Sequence, residues 1–491
     1  MASATCFNAL RQTTKPTASK TNVSKYTKCG VTKPSLSKSS APSFSTQLAH
    51  RGFQSKSAHQ ISRRHESLRI SQSISASADA AVPAETPPPA KPAKKPRLPA
   101  LDSVRFFLIA YIATGHFVAC ATKDATILTF FTQINVVVGA FFVLSGYVAG
   151  YVATELGKYE ASPRIEPAHK YIIGRIMGYY PLYFFVQLLF GAMFVYADNL
   201  YNGPIATAWH AFLTFTLSQA WFPAHAELWN APTWFLSALT FAMVVVPFAL
   251  PSIASWTKKN LKLAFGVLTS LSLIAKLAYS YDLGVWTILE GMTLPKLHPN
   301  MMFWNITRFH PFYALLEVLM GVVACRLVML DGVDGDTEDK KPPASAAVVV
   351  VAMIGVLVAR TFGWLTLNDP LTRVLIFLPL FTIFLMRVHR QTVYNGGAGF
   401  AGLMAAKPLV YLGNISFPIY IIHGPLGQLF YKKAIATKVF GFVFTKYPWF
   451  FGCYAVITLL FAMILHHGFV MNPTVQGWTK SVMGKVAKQL E

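Results

Sequence analysis

From about residue 100 onward the chain is a succession of apolar runs of roughly 17–25 residues, the length at which a helix crosses the hydrocarbon core of a bilayer. The runs fall near 103–121, 132–154, 172–196, 233–255, 260–280, 311–329, 345–365, 371–388, 408–430 and 447–469. A soluble core cannot bury that many. The pattern predicts an all-α membrane protein, a polytopic bundle of about ten transmembrane helices. An eleventh apolar stretch lies at 206–222. Short Lys/Arg-rich loops favour one side of a membrane. Those around Lys94, Lys95 and Arg97, around Lys158, Arg164 and Lys170, and around Lys258, Lys259 and Lys262 share a side only if 206–222 does not fully cross. The same holds for Arg387, Arg390 and Lys407 and for the C-terminal Lys480, Lys485 and Lys488, whereas Lys432 and Lys433 run against the pattern. The stretch 206–222 is therefore expected to be re-entrant or interfacial, with both chain ends on one side.

Composition agrees and adds a leader. Hydrophobic residues make up 54% of the chain and charged residues 13%, against about 25% in ordinary soluble domains. The net charge of +23 is uneven: residues 1–100 hold sixteen Lys/Arg and three acids, Glu66, Asp79 and Glu85. Residues 1–78 are rich in Ser, Thr, Lys and Arg and have no apolar h-region, which excludes a secretory signal and matches an organelle transit peptide. The Met-Ala start and the Ser/Thr content favour a chloroplast destination, so the expected location is a chloroplast membrane, with another intracellular membrane as the alternative. This leader is expected to be disordered. Residues 79–100 form an extended Pro/Ala/Lys linker, 101–470 the membrane domain and 471–491 a basic C-terminal tail. In this company the basic leader points to targeting, and no nucleic-acid partner is expected.

The first span, LDSVRFFLIAYIATGHF, carries Asp102, Arg105 and His116 in otherwise apolar surroundings. Ionisable groups inside a span are costly and mark functional positions. Eleven residues separate Arg105 from His116, which returns to within roughly 20° of the same helix face at an axial offset of about 16 Å. The two side chains line one groove without needing to touch. Asp102, one turn before Arg105, can pair with it. The competing reading is a snorkelling Arg and a packed His.

This Leu-Asp-x-x-Arg start with Arg-x10-His resembles the acyltransferase-3 family of membrane O-acyltransferases. Five later segments are similar to that family's, in order: FFVLSGYVAGY at 141–151, RIMGYYPLYF at 175–184, PTWFLSALTFAMVVVP at 232–247, LLEVLMG at 315–321 and YLGNISFPIYIIHGPL at 411–426. Two positions depart from it. Gly178 stands where many bacterial members carry a second Arg after Arg175, and Leu239 where many carry Glu. Both departures bear on donor or acceptor type more than on fold.

The resemblance implies transfer of an acyl group to a hydroxyl of a sugar, lipid or small metabolite, with acyl-CoA or a similar donor as co-substrate and no tightly bound cofactor. Such a reaction needs a base, and His suits it because its unperturbed pKa is near 6.5; His116 is the candidate. It needs donors for the developing oxyanion, and Asn135, Ser145, Trp234 and Tyr420 are candidates. An anionic donor needs cationic anchors, for which Arg105 and Arg175 suit because guanidinium binds phosphate oxygens bidentately. Glu317, inside an apolar helix, is expected to orient a base, pair with an Arg or hold an acceptor hydroxyl; the bland alternative is an ion pair that fixes packing. His423, one turn after Tyr420, either joins the site or packs near Pro425. No G-x-S-x-G nucleophile elbow is present, which favours direct transfer through a ternary complex. Neither a metal-ligand cluster nor a Walker A or dinucleotide motif occurs. The rival class is a transporter or translocating subunit, since internal charges also suit carriage across a bilayer.

Overall fold

A computed structural model of the chain describes residues 95–162, 167–293, 298–331 and 345–490. The leader and most of the linker, residues 1–94, lie outside the described residues, as does the acidic loop after Asp331. The principal helices are α1 (Ala100–Phe117), α2 (Gly139–Ala153), α3 (Ala168–Met177), α4 (Tyr180–Leu189), α5 (Gly191–Phe215), α6 (Trp234–Ser255), α7 (Lys258–Leu283), α8 (Ile306–Phe309), α9 (Pro311–Met329), α10 (Ala346–Thr361), α11 (Leu378–Val393), α12 (Lys407–Asn414), α13 (Ser416–Tyr431), α14 (Phe450–Leu465) and α15 (Pro473–Gln489). Among the described residues the only extended pairing is two isolated bridges, Thr154 with Ala161 and Thr287 with Leu367. The expected all-α multi-pass bundle is what the chain forms.

Eight helical segments are long and apolar enough to cross a membrane, and α12 with α13, bent by 51°, makes up to nine. Each of the ten expected spans coincides with helix. The run at 345–365 shortens to α10, 16 residues long, below the roughly 20 of a full crossing. The stretch 206–222 is not among the eight: its first part, 206–215, ends α5, which is interrupted at Gly203 (φ 79°), followed by Pro204, and the rest is turn. Helix α1 begins at Ala100, three residues before the predicted start, because the end of the linker is docked. The Lys95 ammonium donates to the carbonyls of Tyr151 and Thr154 at 2.9 and 2.7 Å.

Helix α9 is the axis of the bundle. It is apolar apart from the buried Glu317 and Arg326, and 78% of its span is buried, whereas only 17% of the α7 span is. It crosses α2 at backbone contact. A Cβ on Gly146 would collide with the Val318 carbonyl, and one on Gly321 with the Val143 carbonyl. Lipid offers helices no hydrophobic drive to associate, so small residues that let backbones meet supply the packing. The C-terminal basic tail forms α15, whose N-terminus is capped by the Asn472 side chain and whose Met483 lies against Gly174 of α3.

Candidate functional site

Helix α1 ends against α13, and this junction builds the site. His116 Nδ1 and His423 Nε2 are 3.1 Å apart, with the two rings stacked at 5.2 Å between centroids. His423 is fully buried, and its Nδ1 lies 2.8 Å from the Tyr420 carbonyl and 3.2 Å from that of Ile419. A carbonyl only accepts, so Nδ1 of His423 carries its proton and its Nε2 is an acceptor. His116 must then donate from Nδ1. Its own Nε2 is left with the lone pair. With both rings neutral, the tautomers follow from the hydrogen-bond network.

The backbone of α13 is shaped to hold this pair. Pro425 has no N–H, which leaves the Ile421 carbonyl without its helical partner. The Asn230 side chain fills that role from the loop before α6, donating to Ile421 at 2.8 Å. Gly424 makes room, since a Cβ there would stand 2.6 Å from Asn230 Oδ1. The Tyr454 hydroxyl donates to the His423 carbonyl at 2.9 Å, and the Tyr420 hydroxyl to Pro232 at 2.8 Å.

Two cavities meet at His116. The larger, about 480 Å³, brings together seven of the residues singled out in the sequence: Arg105, His116, Asn135, Ser145, Arg175, Trp234 and Tyr420. Arg105 pairs with Asp102 at 2.7 Å, as the one-turn spacing anticipates, and Asp102 also binds Arg97 at 3.0 Å. The Arg175 guanidinium lies 5.1 Å from the centre of the Tyr171 ring. Ser145 donates to the Phe141 carbonyl at 2.7 Å, one turn back on its own helix. The smaller cavity, about 310 Å³, is also lined by His116 and Trp234, and beyond them by Asp198, Asn202, Glu227, Trp229, Gln428 and Lys432.

Three singled-out residues line neither cavity: Asp102, His423 and Glu317. The first two each contact a residue that does, Asp102 binding Arg105 and His423 facing His116. Glu317 instead forms a buried ion pair with Arg373 of the segment leading into α11, and Arg373 also reaches the Asn135 carbonyl at 3.4 Å. Gly139 permits this, because a Cβ would sit 2.9 Å from the guanidinium carbon. Of the roles expected for Glu317, pairing with an Arg is the one the geometry contains.

The sequence reading missed the wall of the smaller cavity. Asp198 accepts from Asn202 (2.7 Å), from the Trp229 indole (2.9 Å) and from His210 (2.9 Å), and His210 in turn meets His225 at 3.2 Å. Burial pushes the Asp198 carboxyl up, but these hydrogen bonds outweigh it and hold its pKa below the ordinary value. These residues sit in α5 and in the irregular segment after it, where no periodicity flags them. Leu217 and Trp229, held at positive φ of 52° and 49°, are the local irregularities that mark the segment.

The model of a family described as an acyltransferase domain matches residues 98–467, three quarters of the chain and all of the two-cavity bundle. No curated protein and no solved structure matches. Matched over nearly its whole membrane domain, the chain belongs to the acyltransferase-3 family of membrane acyltransferases.

Proposed function

We propose that the protein is an O-acyltransferase in which His116 Nε2 takes the proton of an acceptor hydroxyl. The observation that carries this reading is that His116 lines both cavities while its other nitrogen is committed to His423. The larger cavity suits the donor, acyl-CoA or a similar anionic thioester. Arg105 and Arg175 supply cationic anchors for phosphate, and Arg105 stands about 16 Å along α1 from His116. That separation fits a donor whose phosphates and acyl group are joined by an extended arm. The smaller cavity, with its carboxylates and amides, suits a hydroxyl-bearing acceptor such as a sugar, a lipid headgroup or a small metabolite.

In the step proposed, the hydroxyl oxygen attacks the thioester carbonyl as its proton passes to His116 Nε2. The tetrahedral oxyanion then collapses, the C–S bond breaks, and the leaving thiolate recovers the proton from the imidazolium. The His423 lone pair accepts from His116 Nδ1–H throughout, which fixes the ring and supports its positive charge. No covalent acyl-enzyme is required.

The test uses the full-length chain in lipid nanodiscs, radiolabelled acetyl-CoA and longer acyl-CoAs, and native membrane extract as the source of acceptors. Label transferred to an extract component, with stoichiometric release of CoA thiol, supports the reading. Label crossing sealed liposomes chemically unchanged, with no transfer, would replace it by transport. We further propose a chloroplast membrane as the location, on the composition of residues 1–78. A fluorophore fused to the first 80 residues reports it by import into chloroplasts, and retention in the cytosol would remove it.

A further inference from the structure

Between the two cavities, beside His116, stands an ion pair that no sequence motif announces. Arg308, in the short helix α8, donates from its terminal nitrogen to Glu227 Oε1 at 2.9 Å. Arg308 lines the larger cavity and Glu227 the smaller. Arg308 lies within electrostatic range of His116. Its guanidinium carbon is 4.5 Å from the Phe309 ring centre, and the Phe309 edge meets Trp234, a wall residue of both cavities, at 5.0 Å. The guanidinium is thus held on two sides, by a carboxylate and by an aromatic face. Its Nε–H nevertheless has no hydrogen-bond partner, although the atom is buried. An unpaired buried donor on a charged group is costly, and the cost is recovered when an acceptor arrives.

Three of the other candidate donors along this wall are already engaged. Ser145 donates to Phe141, Tyr420 to Pro232, and the Asn135 amide faces Asp369 at 3.4 Å. Arg105 is far along α1 and bound to Asp102. Resting on the acyl-transfer reading above, we infer that Arg308 receives the negative charge that develops on the acyl carbonyl oxygen during transfer at His116, with Glu227 as its positioning residue. As the hydroxyl oxygen bonds to the carbonyl carbon, the C=O electron pair moves onto oxygen. A fixed guanidinium N–H stabilises that charge without reorganising. When the C–S bond breaks the charge leaves, and the contact relaxes to an ordinary carbonyl hydrogen bond.

The experiment compares wild type, Arg308→Gln, Arg308→Lys and Glu227→Gln, each full-length in nanodiscs, with acetyl-CoA as donor and native membrane extract as acceptor. Turnover and KM for acetyl-CoA are measured beside binding of CoA itself, which carries no carbonyl. Arg308→Gln is expected to lose about 10²–10³ in turnover, with KM and CoA binding within about threefold of wild type. Arg308→Lys, which keeps the charge but not the fork, recovers part of the loss. Glu227→Gln falls between wild type and Arg308→Gln. A rise in KM with turnover unchanged would make Arg308 a donor anchor and overturn the inference, as would wild-type turnover in Arg308→Gln. If Arg308→Gln fails to fold, Arg308→Lys carries the test: unaltered CoA binding with reduced turnover supports the assignment, and full turnover contradicts it. A wild-type chain that binds CoA and transfers nothing would instead bring down the acyl-transfer reading itself.

Discussion

A histidine serves as a base only if one nitrogen keeps a lone pair facing the substrate, and for His116, the base proposed, a second histidine decides which nitrogen that is. His423 is locked by the Tyr420 and Ile419 carbonyls as an Nε2 acceptor, so His116 donates from Nδ1. Replacing His423 with Leu removes the acceptor and frees the His116 ring to rotate or change tautomer. Turnover is expected to fall by about 10²-fold, within the range for a mispositioned base, with CoA binding unchanged. Gln at 423, which offers an amide oxygen, should recover part of it; equal losses in both variants would show that His423 acts only through packing. At this scale the sequence was partly legible. An ionisable residue in a span is conspicuous, and helical spacing put Arg105 and His116 on one face. The contact with His423, 307 positions away in sequence, is fixed by tertiary packing that no local pattern encodes.

Helices carry these side chains into place, and their irregularities matter more than their regular turns. Pro425 costs α13 a hydrogen bond next to His423, and Asn230 restores it from another element. Asn230→Ala leaves the Ile421 carbonyl buried and unsatisfied, an expected loss of about 1–3 kcal/mol. It should appear as a lowered melting temperature together with reduced turnover. Glu317 and Arg373 tie α9 to the segment entering α11. Breaking a buried pair from one side costs about 3–5 kcal/mol, whereas removing both partners is far milder. Glu317→Gln alone should therefore destabilise strongly, and the Glu317→Leu/Arg373→Leu double variant should regain stability and most of its turnover. A stable but inactive double variant would return Glu317 to the chemistry. Hydrophobic run length located these helices well. It could not foresee the truncated α10, nor the break of α5, which the Gly203-Pro204 pair marks locally and hydropathy does not register.

At the scale of the molecule, the described residues form a bundle wrapped on α9, with two cavities that converge on His116 and Trp234. Much of the larger cavity was legible in the sequence: seven of its wall residues were singled out there, six of them in segments similar to the family's, while Arg308 was not. The smaller was invisible, because Asp198, Glu227, Trp229 and Lys432 come from a broken helix, a loop and a helix end that share no period. Of His116, Pro232 and Trp234, which line both cavities, only His116 can exchange a proton near neutral pH, so the proposed mechanism has both reactants meet there. The most direct test is His116→Ala in full-length protein, measuring acyl transfer from acetyl-CoA beside helical content and CoA binding. Transfer is predicted to drop by about 10²–10⁴ while fold and CoA binding stay at wild-type values. Transfer at the wild-type rate would contradict the account.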